Sequence, residues 1–294
     1  MLKMMKKFLF LSLAAIVTAM MLTHPSTALA QKPVRLVYVE WDDAFATTTL
    51  AKAAIEDHLK LPVDILSVSA AAMWVGVATG DADAMLTASL PVTHGDYLAR
   101  TKGKVVDLGP LAKGSQLGWI VPDYVTITSI ADLDANAAKF NRRIIGVDPG
   151  SGLMRLSEQV LKDYGIKNLT LMEGSGATMV AALAEAIRKK EWIVVAGWTP
   201  HWKFGRWNLR FLDDPKETLG KHGDIHTVVR LGLEKDRPEV YEFLKRFHYQ
   251  DIGQLGTLMD WNSQPNANAA ENARRFMREN PDLVKTWFDK NFVK

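Results

Sequence analysis

The chain has 294 residues, of which 48% are hydrophobic and 23% charged, and its formal net charge is +3. Three lysines in the first seven residues account for this excess, and the rest of the chain carries 33 basic and 33 acidic side chains. A balanced chain without a basic stripe lacks the electrostatic footprint of a nucleic-acid-binding protein. The absence of cysteine excludes a disulfide framework, a cysteine metal site and a lipid anchor on cysteine.

Residues 1–30 have the layout of a secretory signal peptide. Lys3, Lys6 and Lys7 precede an apolar run that ends in small residues just before Gln31. The alternative is an uncleaved membrane anchor, which the small residues before Gln31 disfavour. We therefore expect cleavage after residue 30 and a periplasmic mature protein. After the leader, no apolar stretch approaches the roughly 20 residues that a membrane-spanning helix needs.

Short β-branched runs alternate with helical patterns along the rest of the chain. "VRLVYVE" precedes "DAFATTTLAKAAIEDHL", and "RIIGVD" precedes "SGLMRLSEQVLKDYG". This alternation predicts an α/β fold with parallel sheets, in which ligands collect at the carboxyl ends of the strands.

The alternation is interrupted near Pro122 and again near Pro215, and both interruptions suggest strands that cross between lobes. The last third of the chain has apolar residues at helical spacing and is expected to pack on the first half. The sequence thus predicts two lobes, one of residues 31–121 plus 214–294 and one of residues 122–213. The cleft between them is the expected ligand site.

The first strand ends in "EWDDAFATTT", where Trp41 precedes Asp42 and Asp43. One aspartate is expected to cap the following helix, a contribution of about 1 kcal/mol. Trp41 is expected to point at whatever occupies the carboxyl edge of the sheet.

Gly150, Ser151 and Gly152 connect another strand end to a helix. Small residues leave the first helical amides uncovered, and such amides attract a carboxylate or phosphate. An ordinary tight turn explains the same residues equally well. The glycine spacing of a dinucleotide site is absent.

In "GWTPHW", Trp198 follows a strand directly and His201 comes three residues later. His201 is expected either to donate to an anion or to cap a helix. A quaternary ammonium has no N–H to donate, whereas indole faces attract it by roughly 0.5 to 2 kcal/mol each. Aromatic faces, an acid and bare helix amides together suit a ligand with a cationic head and an anionic tail.

Four blocks resemble the glycine betaine and choline substrate-binding proteins of ABC importers: "VRLVYVEWDDAFATTTLAKAAIED", "GVATGDADAMLTASLPVTHGDYL", "GVDPGSGLMRL" and "AGWTPHWKFGRWNLRFLDDPK". The resemblance implies a two-lobed periplasmic-binding-protein fold, type II-like, with two crossover strands. It also implies closure of the two lobes around the ligand, which the ligand stabilises by its differential affinity for the closed form. We expect a monomer without a cofactor that delivers its ligand to an ABC permease in the inner membrane.

Carried over from this family, the cage aromatics fall on Trp41 and Trp198 and the accompanying acid falls on Asp43. The turn that meets the polar end of the ligand falls on residues 150–152, and the histidine of the "PH" pair falls on His201.

Two positions depart from the family. Ser89 stands where a cage tryptophan is common, and Leu117 stands where the choline-binding branch has an aromatic residue. Trp119, on the same strand face as Leu117, is a candidate for the missing wall. Trp74 is a second candidate, although a helix residue that faces the sheet is its more ordinary role. Without a replacement wall, the pocket suits a solute larger than glycine betaine, such as a proline betaine, carnitine-like or ectoine-like compound.

A different class of function, an exported hydrolase, is the weaker alternative. The "GxSxG" elbow is missing. His222 and His226 are four residues apart in a strand-like stretch, which disfavours a metal site on one helical face. A partner that presents ligand to a sensor would use the same cleft and is not separable by sequence.

Overall fold

A computed structural model describes residues 32–220, 222–289 and 291. The expected signal peptide of residues 1–30 and the start at Gln31 lie outside these residues. The strands are β1 (Val34–Tyr38), β2 (Val63–Ser67), β3 (Ala84–Leu90), β4 (Val105–Pro122), β5 (Arg143–Ile145), β6 (Thr170–Met172), β7 (Val195–Thr199), β8 (Leu209–Phe211) and β9 (Gly223–Arg230). Within the described residues, no helix is both long and apolar enough to cross a membrane.

The α-helices are α1 (Asp42–Ala54), α2 (Ala70–Thr79), α3 (Gly95–Arg100), α4 (Gly152–Asp163), α5 (Gly176–Lys189), α6 (Lys203–Arg206), α7 (Leu233–Asp236), α8 (Pro238–Arg246), α9 (Ile252–Asn262), α10 (Ala269–Glu279) and α11 (Pro281–Phe288). A π-helical turn, Ile55–Leu59, continues α1, and two 3-10 helices, Ile130–Asp132 and Asp134–Phe140, precede β5.

The strands form one curled mixed sheet in the order β2-β1-β3-β9-β4-β7-β5-β6, with β8 also paired to β4. The β1–β2, β1–β3, β5–β6 and β5–β7 pairs are parallel, as the strand–helix alternation predicts. The pairs that involve β4 or β9 are antiparallel, so the prediction of parallel sheets holds only for part of the sheet. Strand β4 joins the two halves of the sheet. It pairs with β9 up to Ser115 and with β7 from Gln116 onward, so its partner changes between these two residues.

Each half of the sheet has its own hydrophobic core. One core surrounds β1 and β3 and includes Leu36, Leu50 and Phe276. The other surrounds β5 and β7 and includes Trp119 and Val195. The C-terminal helices α8 to α11 contribute to the first of these cores, so the last third of the chain packs on the first half as expected.

Helix α1 and the C-terminal helices are also linked by charge. The Nε of Arg274 in α10 donates to Oδ2 of Asp57 at 2.9 Å. Both side chains are more than a third exposed, so this ion pair adds little to stability. The buried apolar contacts between the helices provide most of the attachment.

Candidate functional site

A cavity lies where the carboxyl ends of β1, β3 and β7 meet the start of helix α4. It contains about 520 Å³ of empty space and opens to solvent. Its lining residues come from both halves of the sheet: Trp41, Asp43, Thr87, Ser89, Thr93, His94, Ser115, Leu117, Val147, Ser151, Gly152, Leu153, Trp198, Thr199 and Ile225. The two indoles thus line the same cavity.

Trp41 is held by a carboxylate from the other half of the sheet. Its Nε1 donates to Oδ2 of Asp148 at 3.0 Å, and Asp148 follows strand β5. The Trp41 ring also stacks on the imidazole of His94, with 5.8 Å between centroids and 24° between planes. These two contacts fix the orientation of the ring at the cavity wall.

Trp198 is held in the reciprocal way. Its Nε1 donates to Oδ1 of Asp43 at 3.0 Å, and Asp43 is the second residue of helix α1, which packs on the first half of the sheet. Burial, with the nearby charge of Asp42 adding to it, raises the pKa of Asp43 to about 6. The carboxylate is therefore largely ionised at neutral pH and places a negative charge beside the cavity.

A second layer of polar contacts supports the Trp198 loop. Nε2 of His201 lies 3.0 Å from Oδ2 of Asp42, and Nε1 of Trp202 donates to the same oxygen at 2.9 Å. Although burial opposes the effect, these two contacts lower the pKa of Asp42. Burial lowers the pKa of His201 to about 4, so its imidazole is neutral.

His94 offers the cavity an unpaired donor. Its ring is buried, and Nδ1 accepts from the backbone N–H of Ser89 at 3.1 Å. Burial, together with the charge of Arg155, lowers the pKa of His94 to about 4. A neutral imidazole that accepts at Nδ1 carries its proton on Nε2. That atom is buried and has no hydrogen-bond partner among the described residues.

The start of helix α4 adds further donors. Oγ of Ser151 accepts from the N–H of Met154 at 3.2 Å and so caps the helix. Helix geometry leaves the N–H groups of Gly152 and Leu153 without a carbonyl of their own helix. A Cβ on Gly152 would lie 2.1 Å from the carbonyl oxygen of Thr93, so only glycine permits this close approach.

The structure brings Trp41, Asp43, Ser151, Gly152 and Trp198 together around the cavity, as the strand-end argument predicts.

Three other sequence-predicted site residues lie elsewhere. Gly150 lines a neighbouring cavity, and its carbonyl accepts from the hydroxyl of Tyr97 at 2.7 Å. His201 lies behind Trp198, with 5.1 Å between ring centroids, and is absent from the cavity wall.

Trp119 does not replace the missing cage wall. It is fully buried in the second core, where its Nε1 donates to Oγ of Ser157 at 2.9 Å. Leu117 lines the cavity, but Trp119 lies about 7 Å farther along the same strand face, because two residues of a strand advance that far. Trp74 is also buried, and its ring stacks on Tyr97 at 6.0 Å.

Sequence reasoning missed His94 as a site residue, although His94 lies in the block "GVATGDADAMLTASLPVTHGDYL", which is one of the four that carry the family resemblance. It also missed a set of hydroxyls around the cavity: Thr87, Thr93, Ser115 and Thr199. Thr87, Ser115 and Thr199 lie in strands and Thr93 lies in a turn, and nothing in the local sequence distinguishes them from other hydroxyl residues of the chain. In the part of the chain that the structure describes, no group of three or more His, Asp or Glu side chains is arranged to hold a metal ion.

Residues 32–279 match the family described as the substrate binding domain of the ABC-type glycine betaine transport system, OpuAC. The chain belongs to this family. The resemblance inferred from the four sequence blocks, and with it the role of a transport substrate-binding protein, is confirmed.

Individual relatives agree with this assignment. The chain is 36% identical over 167 residues to the glycine betaine/carnitine transport binding protein GbuC of Listeria monocytogenes. That alignment covers 55% of each chain, so it spans about half the length of this curated relative.

Two crystal structures are similar over nearly the whole of their own chains. The glycine/betaine/L-proline-binding protein ProX from Borrelia burgdorferi is 35% identical and superposes with a TM-score of 0.84, covering 88% of this chain and 97% of that one. Lactococcal OpuAC, in its closed-liganded conformation with glycine betaine, is 35% identical with a TM-score of 0.82, covering 88% of this chain and 100% of that one. The predicted two-lobed α/β binding-protein fold is confirmed by these structures.

Proposed function

We propose that this chain binds a carboxylated quaternary ammonium compound, such as glycine betaine, and presents it to an ABC permease. The observation that carries the proposal is the sharing of one cavity by two opposed kinds of surface. Trp41, Trp198 and the carboxylate of Asp43 suit a methylated ammonium, whereas the donors of His94 and the start of helix α4 suit a carboxylate.

Cation–π attraction would hold the ammonium head group of the ligand. A methylated ammonium has no N–H group, so it gains little from hydrogen-bond acceptors and most from aromatic faces and a nearby negative charge. Trp41 and Trp198 supply the faces, and each is fixed by a carboxylate across the cavity. Rings already held in place lose less conformational freedom when a ligand binds.

Hydrogen-bond donors without an acceptor of their own would bind the carboxylate of the ligand. The Nε2–H of His94 is buried without a partner among the described residues, and the N–H groups of Gly152 and Leu153 have no acceptor in their own helix. Choline would offer these donors only a hydroxyl. Poorly paired, desolvated donors cost roughly 1 to 3 kcal/mol. A betaine should therefore bind at least tenfold more tightly than choline.

The ligand itself is not fixed by these groups. Ser89 leaves the cavity without the third indole that the family commonly has, and the buried residues Thr87 and Ser115 also line the cavity. Because this indole is missing, the cavity would also accommodate a larger zwitterion, such as proline betaine or carnitine. The Listeria relative is itself named as a glycine betaine/carnitine transport binding protein.

Closure of two lobes is part of the proposal. We place the lobes at residues 31–121 plus 214–294 and at residues 122–213. The change of partner along β4 between Ser115 and Gln116 supports a hinge close to the cavity. The chain would act as a monomer and bind its ligand without chemical change, after export to the periplasm and cleavage before Gln31.

A ligand panel tests the proposal. Thermal-shift measurements should show stabilisation by glycine betaine, proline betaine or carnitine, and little by ordinary amino acids. The bound compound, released by denaturation and identified by mass spectrometry, should be unchanged, whereas a hydrolase would return products. N-terminal sequencing of exported protein should begin near Gln31, and an intact Met1 would contradict the proposed processing.

A further inference from the structure

Lys203, the first residue of helix α6, is buried directly behind a wall of the cavity. Its side chain is fully buried, and its ammonium has no hydrogen-bond partner among the described residues. Nζ lies over the ring of Trp198, 4.7 Å from the centroid, and 5.5 Å from that of Phe204. Fully buried lysines are almost always paired, so an unpaired one calls for an explanation.

The neighbouring strand leaves room for this lysine. A Cβ on Gly197 would lie 3.3 Å from Cε of Lys203 and 2.2 Å from Cδ1 of Ile120. A larger residue at position 197 would thus crowd both side chains. The lysine stem therefore occupies a space that the absence of a side chain on β7 creates.

The charged and titratable groups around Lys203 are Asp42 and Asp43 on helix α1 and His201, which lies just before helix α6. Burial lowers the pKa of Lys203 to about 7, and the charges of the two aspartates oppose this decrease. His201 is neutral near this pH because its pKa is lowered to about 4. Near neutral pH, Lys203 is thus present in both charged and neutral forms.

We propose that Lys203 is a specificity-determining residue that disfavours ligands with a net positive charge relative to zwitterions. The proposal rests on the proposed function, because it requires a cationic head group beside Trp198. Lys203 does not line the cavity, whereas Trp198 does, so the indole separates the ammonium from the ligand.

The expected effect follows from Coulomb's law. A ligand cation held within about 6 Å of the ring centroid lies roughly 10 Å from Nζ of Lys203. At an effective dielectric constant of about 20, a charged Lys203 at that distance weakens binding of the ligand cation on the order of tenfold relative to a neutral one. The carboxylate of a zwitterion is attracted by the same ammonium and offsets part of this loss, whereas choline has no such group. A bound cation also favours the neutral lysine, so binding releases protons and choline affinity rises with pH.

The test compares choline and glycine betaine by titration calorimetry in wild type and Lys203→Met, at pH 6.5 and 8.5. At pH 6.5, Lys203→Met should bind choline about threefold more tightly than wild type, because roughly a quarter of the wild-type lysine is already neutral at that pH and leaves binding unhindered, and the gain for glycine betaine should be smaller. At pH 8.5 the difference between wild type and variant should shrink, because the wild-type lysine is then mostly neutral. Any pH dependence of ligand affinity that remains in Lys203→Met comes from titratable groups other than Lys203.

Lys139→Met is the matched control, since Nζ of Lys139 lies 4.5 Å from the centroid of Trp192, away from the cavity. It should leave both affinities unchanged. If Lys203→Met does not fold, the choline-to-betaine affinity ratio of wild type between pH 7 and 8.5 gives the answer, because Asp43 stays ionised there. A ratio unchanged by both the substitution and pH overturns the inference alone. Failure of wild type to bind either ligand overturns the proposed function and this inference with it.

Discussion

Replacement of Trp198 by alanine is expected to weaken ligand binding, and the loss of the hydrogen bond from Trp198 to Asp43 accounts for only part of this effect. Trp198→Ala removes one aromatic face of the cavity, a loss of roughly 0.5 to 2 kcal/mol for a desolvated cation. It also removes the Nε1 donor of the buried Asp43 carboxylate and the ring that separates Lys203 from the ligand. We expect a total loss of more than about 1 kcal/mol, or at least fivefold in Kd, because both further changes add to the loss of the ring face.

Trp198→Phe separates these contributions. The smaller ring keeps a negative face but has no N–H to donate to Asp43, so binding should be intermediate between wild type and Trp198→Ala. Calorimetric titration with glycine betaine measures each affinity, and circular dichroism melting shows whether each variant is folded.

Trp261→Ala is the control for loss of an indole. The guanidinium of Arg275 lies 3.9 Å from the centroid of Trp261, so this ring also contacts a cation, but it does not line the cavity. Its affinity for glycine betaine should equal that of wild type. A folded Trp198→Ala protein that binds as tightly as wild type would remove Trp198 from the site and refute the cation–π argument.

Further substitutions and a pH series test other parts of the site. Trp119→Phe should lower the free energy of unfolding by about 1 to 3 kcal/mol, because a buried hydrogen bond is lost, and should leave ligand affinity unchanged; an affinity loss in a stable variant would return Trp119 to the site. Ser89→Trp should tighten binding of glycine betaine relative to carnitine and proline betaine, and an unchanged ratio by calorimetry would contradict an open wall at this position. Ser151→Asp should weaken betaines more than choline by repelling the carboxylate, whereas equal effects would argue against an anion site. In the Lys203→Met background, affinity for glycine betaine should fall as the pH drops and the Asp43 carboxylate becomes protonated, with a midpoint above the wild-type pKa of about 6, because the variant lacks the lysine charge that lowers this pKa; a flat profile between pH 5 and 7.5 would exclude Asp43 as a charge partner.

The sequence was sufficient to predict the residues at the carboxyl ends of strands. Trp41 and Asp43 lie in the connection and helix that follow β1, and Trp198 lies near the end of β7. The alternating pattern identifies both strands, and the ends of parallel strands meet at one edge of a sheet. Ser151 and Gly152 were predictable because a strand–turn–helix connection places helical amides at that same edge. These predictions required no knowledge of strand order.

The remaining features depend on contacts between distant parts of the chain. The backbone N–H of Ser89 fixes the tautomer of His94, and the proton on Nε2 has no acceptor among the described residues. The burial of Lys203 depends on how Trp198 and Gly197 pack around it, whereas a lysine at a helix start ordinarily suggests a solvated side chain. The alternation of side chains along β4 correctly placed Trp119 on the same strand face as Leu117. It could not show that the cavity ends before Trp119, where Ser157 of helix α4 accepts a hydrogen bond from the indole N–H.

The most direct test of the central claim compares glycine betaine with 3,3-dimethylbutanoate, which has the same shape and carboxylate but a carbon atom in place of the quaternary nitrogen. Titration calorimetry of the wild-type protein should give an affinity for glycine betaine at least tenfold higher, because only its head group carries the positive charge that Trp41, Trp198 and Asp43 attract. Equal binding of the two compounds, or stronger binding of the neutral-headed analogue, would contradict the account.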